Sequence, residues 1–299
     1  MTAYFPSNHK GMALFQVLVM VGIFSTLLLL MSGFSQQSVI QTHQLQSITE
    51  QKLRLYSAQK RLQYQLLTEH WVQRVNATEM KSWNFYGQPF KFASTAVASA
   101  QSDLTYSIQD LSSLFNWQIP QQELVNLLEM QGVKKAQAQA MRQELIDAQT
   151  LIGKLAMGRK ITSKYPHLPF YHQDEVAQLT QWSETVVQQL SPFMNLYSQS
   201  FNPFNLPDEM LPALLSASQV DIIRQWRQQR DYTSTKFSLL TGIQQDDLVS
   251  FYPGPAFRIE VSQDDSDMVL VAELKLTPYL KVPLVRFSQF YKAKNSSKT

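Results

Sequence analysis

Between Met12 and Phe34 the chain has 23 consecutive residues with no ionisable side chain. At a helical rise of about 1.5 Å per residue, a run of this length covers a bilayer hydrocarbon core of about 30 Å. A cleaved export signal has a shorter apolar core followed by a small-residue cut site. Ser32, Gly33 and Ser35 supply small residues here, but the length of the run favours a retained membrane anchor over conventional cleavage. Lys10 lies just before the run, and no Lys or Arg follows until Lys52. Positive charge stays on the cytoplasmic side. The reading is therefore a single membrane pass, with the short N-terminus cytoplasmic and everything after Phe34 extracytoplasmic.

Beyond the run, no Gly or Pro occurs between Gly33 and Gly87, and Gln, Leu, Lys, Arg and Glu dominate. These are good helix formers. Leu45, Ile48, Leu55, Leu62 and Leu66 recur at spacings of three, seven, seven and four, which puts them on one helical stripe. One helix from about Met12 to about Val75 is expected, lipid-facing first and amphipathic afterwards. The stripe is too short and irregular for a coiled coil. Its apolar residues are expected to meet a domain of the same chain (Leu62, Leu66) or partner helices (Leu45, Ile48, Leu55).

The remainder changes character twice. SWNFYGQPFKF and DLTYSIQDL are aromatic and partly alternating, as in two short strands. From Pro120 to about Gly242 the periods are helical, with segments such as PQQELVNLLEMQGV, QDEVAQLTQWSETVVQQL and SQVDIIRQWRQQRD. After SFYPGP the pattern is three strands, the first two joined by the acidic turn SQDDSDM. The expected class is α+β: a long N-terminal helix, transmembrane then amphipathic, packed on a small antiparallel sheet, with a large helical domain inserted between strands. No internal repeat is evident.

Composition removes several chemistries. The absence of cysteine excludes disulfides, thiol nucleophiles and cysteine-ligated metals. A net charge of +3 without a long basic cluster gives no footprint for nucleic acid. Nine glycines form no phosphate-binding loop, and no Gly-x-Ser-x-Gly elbow is present. His167 and His172 flank LPFY at a spacing that matches no familiar metal site. Asp264, Asp265 and Asp267 form the best candidate for calcium. That ion wants six or more oxygens, and three clustered aspartates more often form a solvated turn. No cofactor and no catalytic residue are expected.

The leader ending in Lys10-Gly11, followed by MALFQVLVMVGIFSTLLLL and a helix running on from the membrane, resembles the class III signal of type IV pilins and type II secretion pseudopilins. The resemblance implies cutting by a prepilin peptidase after Gly11, N-methylation of Met12, and a helix that serves first as anchor and then as filament core. It also makes the membrane the cell inner membrane and the extracytoplasmic space the periplasm. It makes Gln16 the fifth mature residue, where most such subunits have Glu. A Glu there neutralises the N-terminal ammonium of a neighbouring subunit in apolar surroundings, where an unpaired charge is expensive. A Gln suits a subunit with no neighbour above it. The large size and the inserted helical block are similar to the general secretion pathway K group of minor pseudopilins. IQDLSSLFNW resembles that group's Asp-x-x-Gly-Arg-x-Asn-Leu-Asn segment, with Asp110 and Asn116 matching and Ser113 in place of the glycine. FNPFNLPDEML resembles its Ile-Asn-Val-Asn-Thr-Ala segment, with Asn202 and Asn205 in register. HQDEVAQL is similar to a segment that opens a helix. The group's Asp-Trp-Ile-Asp run is reduced to Asp147-Ala148 and its Gly-Ala-Glu-Asp stretch is missing, so its calcium sites do not carry over.

The resemblance divides the chain into a leader (1–11), a transmembrane part (12–35), a periplasmic helix with the first strands (36–110), an inserted helical domain (111–250) and C-terminal strands with a tail (251–299). It implies a non-enzymatic tip subunit of the type II secretion pseudopilus that primes assembly. Implied partners are other minor pseudopilins, the major pseudopilin, the prepilin peptidase and the inner-membrane secretion platform, with the secretin or an exported substrate beyond. The alternatives are a large minor pilin of a type IV pilus and, from another class, a membrane-anchored periplasmic enzyme.

Overall fold

The computed structural model describes residues 10–68, 83–91, 103–156, 170, 172–197, 200–277 and 280–294. Two compact units emerge, Met1–Arg54 and Leu55–Thr299. In the first, helix α1 (Lys10–Thr68) begins and the described side chains from Leu14 to Glu50 are all exposed. This stretch includes a segment long and apolar enough to cross a membrane. Full burial in α1 starts at Leu55, where the second unit begins.

In the second unit Leu55, Ala58, Leu62 and Leu66 of α1 are buried. Steps of three and four align them on one helix face. They share a core with Tyr106, Ile108, Ile259, Ala272 and Leu274 of a four-stranded antiparallel sheet. Its strands are β1 (Leu104–Asp110), β4 (Ala256–Gln263), β5 (Met268–Leu276) and β6 (Leu284–Ala293), in the order β1-β4-β5-β6. Alternation along each strand sends one set of side chains to α1 and the other to the opposite face. Each fully buried Leu of this layer contributes about 1.5–3 kcal/mol.

Between β1 and β4 lies the helical block. Its helices are α2 (Leu124–Met130), α3 (Lys135–Ala156), α4 (Glu184–Leu190), α5 (Leu211–Leu214), α6 (Ala217–Gln228) and α7 (Ser234–Thr241). A two-residue parallel pair, β2 (Phe115–Asn116) with β3 (Met194–Asn195), ties the start of the block to its middle. It has its own core, including Trp117 edge-on to Trp182 at 5.3 Å. The architecture is α+β, as expected.

Two local expectations need correction. QDEVAQLTQWSETVVQQL is not one helix: Gln173–Gln178 is a 3₁₀ turn, and α4 starts afresh with Ser183 as its N-cap. The break is held by Glu144 of α3, whose two oxygens accept from the backbone N–H groups of Thr180 and Gln181, both at 2.9 Å. The first predicted strand makes only isolated bridges, Tyr86 with Gln109 and Phe90 with Tyr106. Gly87 between them has φ +81°, and a Cβ there would sit 2.6 Å from Gln109 Oε1. The helix end expected near Val75 falls outside the described residues, where α1 is described to Thr68.

Candidate functional site

The backbone at Gly11 and Met12 is helical, and Gln16 is exposed on α1. Leu45 and Ile48 are 65% and 41% exposed, whereas Leu55 is fully buried. The assignment of Leu55 to a partner-facing stripe is therefore corrected: it lies against the sheet with Leu62 and Leu66. The structure separates the stripe into an exposed part in the first unit and a core part in the second.

Three of the four motif residues meet at a buried polar joint where the sheet passes into the helical block. Asp110 is wholly buried at the end of β1. Its Oδ1 accepts from Ser112 N at 2.9 Å, Ser112 Oγ at 2.7 Å and Gly254 N at 3.2 Å, and its Oδ2 from Asn202 Nδ2 at 2.8 Å and Asn205 Nδ2 at 3.2 Å. Asn202 donates also to Tyr252 O at 3.0 Å, and its Oδ1 caps a 3₁₀ turn by accepting from Phe204 N and Asn205 N. That cap fixes which end of the Asn202 amide faces Asp110, so the carboxylate meets donors and not the oxygen-rich shell a cation needs. Gly254 is required at close quarters: a Cβ would lie 3.0 Å from Ser112 Cβ and 3.4 Å from Asp110 Oδ1. Burial pushes the Asp110 carboxyl above the usual aspartate range, and the hydrogen bonds from Ser112, Asn205 and Asn202 pull it part of the way back. Ser113 accepts from Gln109 Nε2 at 2.6 Å and donates to Asp110 O at 2.7 Å. Asn116 lies apart in β2, where its Oδ1 accepts from Gln118 N at 2.7 Å.

The joint has a second clasp that sequence reasoning missed. Arg227 of α6, with its side chain fully enclosed, ion-pairs Asp208 and donates to Phe204 O at 3.0 Å. Its guanidinium lies 4.0 Å from the Tyr86 ring and 4.8 Å from that of Tyr232. Gln88 Nε2 donates to Asp208 Oδ2 at 2.5 Å, linking the segment beside β1 to the helical block. Burial raises the Tyr86 hydroxyl above its ordinary pKa, and the Arg227 charge opposes the rise. Arg227 is one of three arginines within seven residues, Arg224, Arg227 and Arg230. Only the helical phase, which aligns it with Val220 and Ile223 on the buried side, distinguished it.

The acidic turn is a fastener between segments. Asp264 Oδ2 pairs with Lys91 Nζ at 2.5 Å and its Oδ1 accepts from Thr105 at 3.2 Å. These contacts hold its carboxyl below the ordinary range. Among the described residues no three His, Cys, Asp or Glu side chains gather as a group that could hold a metal ion. His172 caps the 3₁₀ turn at Asp174 N, and His167 falls outside the described residues.

Opposite α1, the sheet floors a cleft of about 510 Å³ roofed by the helical block. Its floor carries the ion pairs Arg258–Glu273 at 2.8 Å and Lys292–Glu260 at 2.6 Å. Tyr197 stacks on Phe287 of β6 at 4.0 Å at its margin.

No protein-family model matches the chain, and no curated protein matches it. Among solved structures, the chain is similar to a chain of the GspK-GspI-GspJ complex from the type 2 secretion system of enterotoxigenic Escherichia coli. The two share 15% sequence identity, the likeness covers 84% of this chain and 99% of that one, and the TM-score is 0.45.

Proposed function

We propose that this protein is a K-type minor pseudopilin, a non-enzymatic subunit at the tip of a type II secretion pseudopilus. The observation that carries the reading is the construction of α1. A lipid-length apolar segment behind Lys10-Gly11 continues as one helix into a stripe that forms the core of an antiparallel sheet interrupted by a helical block. The convergence of Asp110, Asn202 and Asn205, which the family motifs had picked out separately, adds support. In this role Gly11 precedes the peptidase cut, Met12 becomes the methylated N-terminus, and Gln16 leaves no carboxylate to receive a neighbour's ammonium. Leu45 and Ile48 meet the helices of other minor pseudopilins, and the apolar segment holds the chain in the inner membrane until assembly.

The test is the N-terminal sequence and mass of the protein from cells with and without a prepilin peptidase. The expected product begins at Met12 only when the peptidase is present, and Gly11→Val blocks it by crowding the position next to the cut. A mature chain beginning near Ser35, or one unaffected by the peptidase, would overturn the proposal.

A further inference from the structure

We infer that the seam between α1 and β6 holds at least one ordered internal water, bridging the side-chain amides of Gln59, Gln63 and Gln289. The inference rests on the second unit alone and is independent of the pseudopilin reading.

The two flanks of α1 meet opposite edges of the sheet. Burial raises the Tyr106 hydroxyl of β1 and the charge of Arg61 opposes the rise, which places Arg61 on the β1 flank. Burial, helped by Tyr56, raises the Tyr291 hydroxyl of β6, which places Tyr56 on the β6 flank. Steps of three and four put Gln59 and Gln63 in phase with Tyr56. Both glutamines are enclosed, at 1% and 2% exposure. On the sheet side, Gln289 and Tyr291 stand opposite Ala272 and Leu270 of β5, which belong to the core shared with α1. Gln289 therefore faces the same seam.

Four amide atoms there are shut off from solvent. Among the described residues neither Nε2 nor Oε1 of Gln59 has a hydrogen-bond partner, and neither do Nε2 of Gln63 or Oε1 of Gln289. The orientation of Gln63 is set from outside: its Oε1 accepts from Lys60 Nζ at 3.1 Å, so its Nε2 is the end turned inwards. Lys60 itself sits over the Tyr56 ring, 5.2 Å from the centroid. Buried polar groups are nearly always satisfied, by protein or by ordered water.

Chemistry identifies the occupant. The four atoms are two NH₂ donors and two carbonyl acceptors, so it must both accept and donate, and it must be small. Water does both, typically with about three hydrogen bonds. A cation would meet the two NH₂ groups with the Lys60 ammonium beside them, an anion would meet the two carbonyl oxygens, and an apolar molecule would satisfy none of the four. The consequence is positional. The other contacts of α1 with the sheet run through Leu55, Ala58, Leu62 and Leu66, and apolar contact is non-directional. A water bridge has a required geometry, so it fixes how α1 is turned over the sheet. Among the described residues β6 adds no fully buried apolar side chain, which makes the bridge a directed link between the helix and the edge strand.

Oxygen-17 relaxation dispersion counts the long-lived internal waters of the full-length protein in neutral detergent micelles. The double variant Gln59→Met, Gln289→Met should hold at least one fewer than the parent, while slow amide exchange in β1, β4 and β5 shows that the sheet is kept. Each single variant leaves the facing amide buried and unpaired, so its unfolding equilibrium constant should rise about tenfold and return towards the parent in the double variant. Gln63→Met, which removes one donor and leaves the other two amides in place, should shorten the residence time of the same water. An unchanged water count in the double variant, as direct bonding between the amides would give, would overturn the inference. So would an unchanged dispersion profile in Gln63→Met, or single variants that both stabilise the protein additively.

Discussion

Replacing Asp110 by Asn isolates the joint between the sheet and the helical block, because the shape is kept and only the charge and one acceptor change. All five groups around the carboxylate present donors, and Ser112 Oγ is the one partner able to turn and accept. An amide at 110 must point its NH₂ at one side. Placed at Oδ1 it opposes two backbone N–H groups, from Ser112 and Gly254. Placed at Oδ2 it opposes the Asn202 and Asn205 amides, of which Asn202 still has Tyr252 O as an acceptor. The second placement is cheaper, orphaning one buried donor at about 1–3 kcal/mol and weakening the remaining charge-assisted bonds. Avoided desolvation of the carboxylate works the other way. The net expectation is a loss of about 2–4 kcal/mol. Denaturation of the full chain in micelles reads it out, with tryptophan fluorescence following Trp117 and Trp182 in the helical block while hydrogen exchange follows the sheet. The block should lose its order before the sheet in the variant, and together with it in the parent. The pH dependence has a fixed sign. Burial raises the folded pKa of Asp110 above its unfolded value, so the native state binds more protons between the two and this group's contribution falls as pH rises through the folded pKa. The gap between parent and variant should therefore narrow over that window. A variant as stable as the parent, or more stable, would refute the argument that the donor set outweighs desolvation.

Two further predictions concern α1 and the acidic turn. Leu62→Lys, at a fully buried position, should abolish cooperative unfolding of the second unit, whereas Ile48→Lys should leave the melting curve unchanged and, on the proposed reading, remove co-elution with the soluble domains of other minor pseudopilins in gel filtration. The Asp264 carboxyl, held below its ordinary pKa by Lys91 and Thr105, contributes above the unfolded aspartate pKa, and its contribution disappears as pH falls through the folded value; NMR titration of the Asp264 side chain should show the lowered midpoint, and Lys91→Met should return it towards the ordinary value.

What could be read from the sequence follows from how local each signal is. Helix α1 and the three C-terminal strands rest on periodicity over ten or more residues, which a single sequence displays. The boundary between exposed and buried parts of α1 does not, because Ile48 and Leu55 have the same periodic phase and only the position of the sheet separates them. Asp110, Asn202 and Asn205 were singled out by resemblance as three separate matches, but their meeting depends on about ninety residues of intervening chain folding back. The break at Leu179–Trp182 was invisible because its cause, Glu144, lies on another helix. Asp208 and Arg227 are likewise ordinary surface residue types, and only packing turns them into an enclosed pair.

The pairing of Asp110 with Phe257 across β1 and β4 has a consequence for how the chain acquires its fold. The 146 residues from Leu111 to Ala256 form the loop that these two paired positions close. Relative to a hairpin of a few residues, closing a flexible loop of this length adds only about 3 kcal/mol of entropy, since the dependence is logarithmic. The kinetic penalty is larger, because distant contacts are slow to find. During synthesis β1 emerges long before its neighbour β4, and the intervening block already has a separate apolar core with which to condense. Once compact, that block brings its own two ends together. The late-arriving hairpin of β4 and β5 then meets β1 across a short gap, so the slowest pairing in the sheet is prepared by the segment that interrupts it.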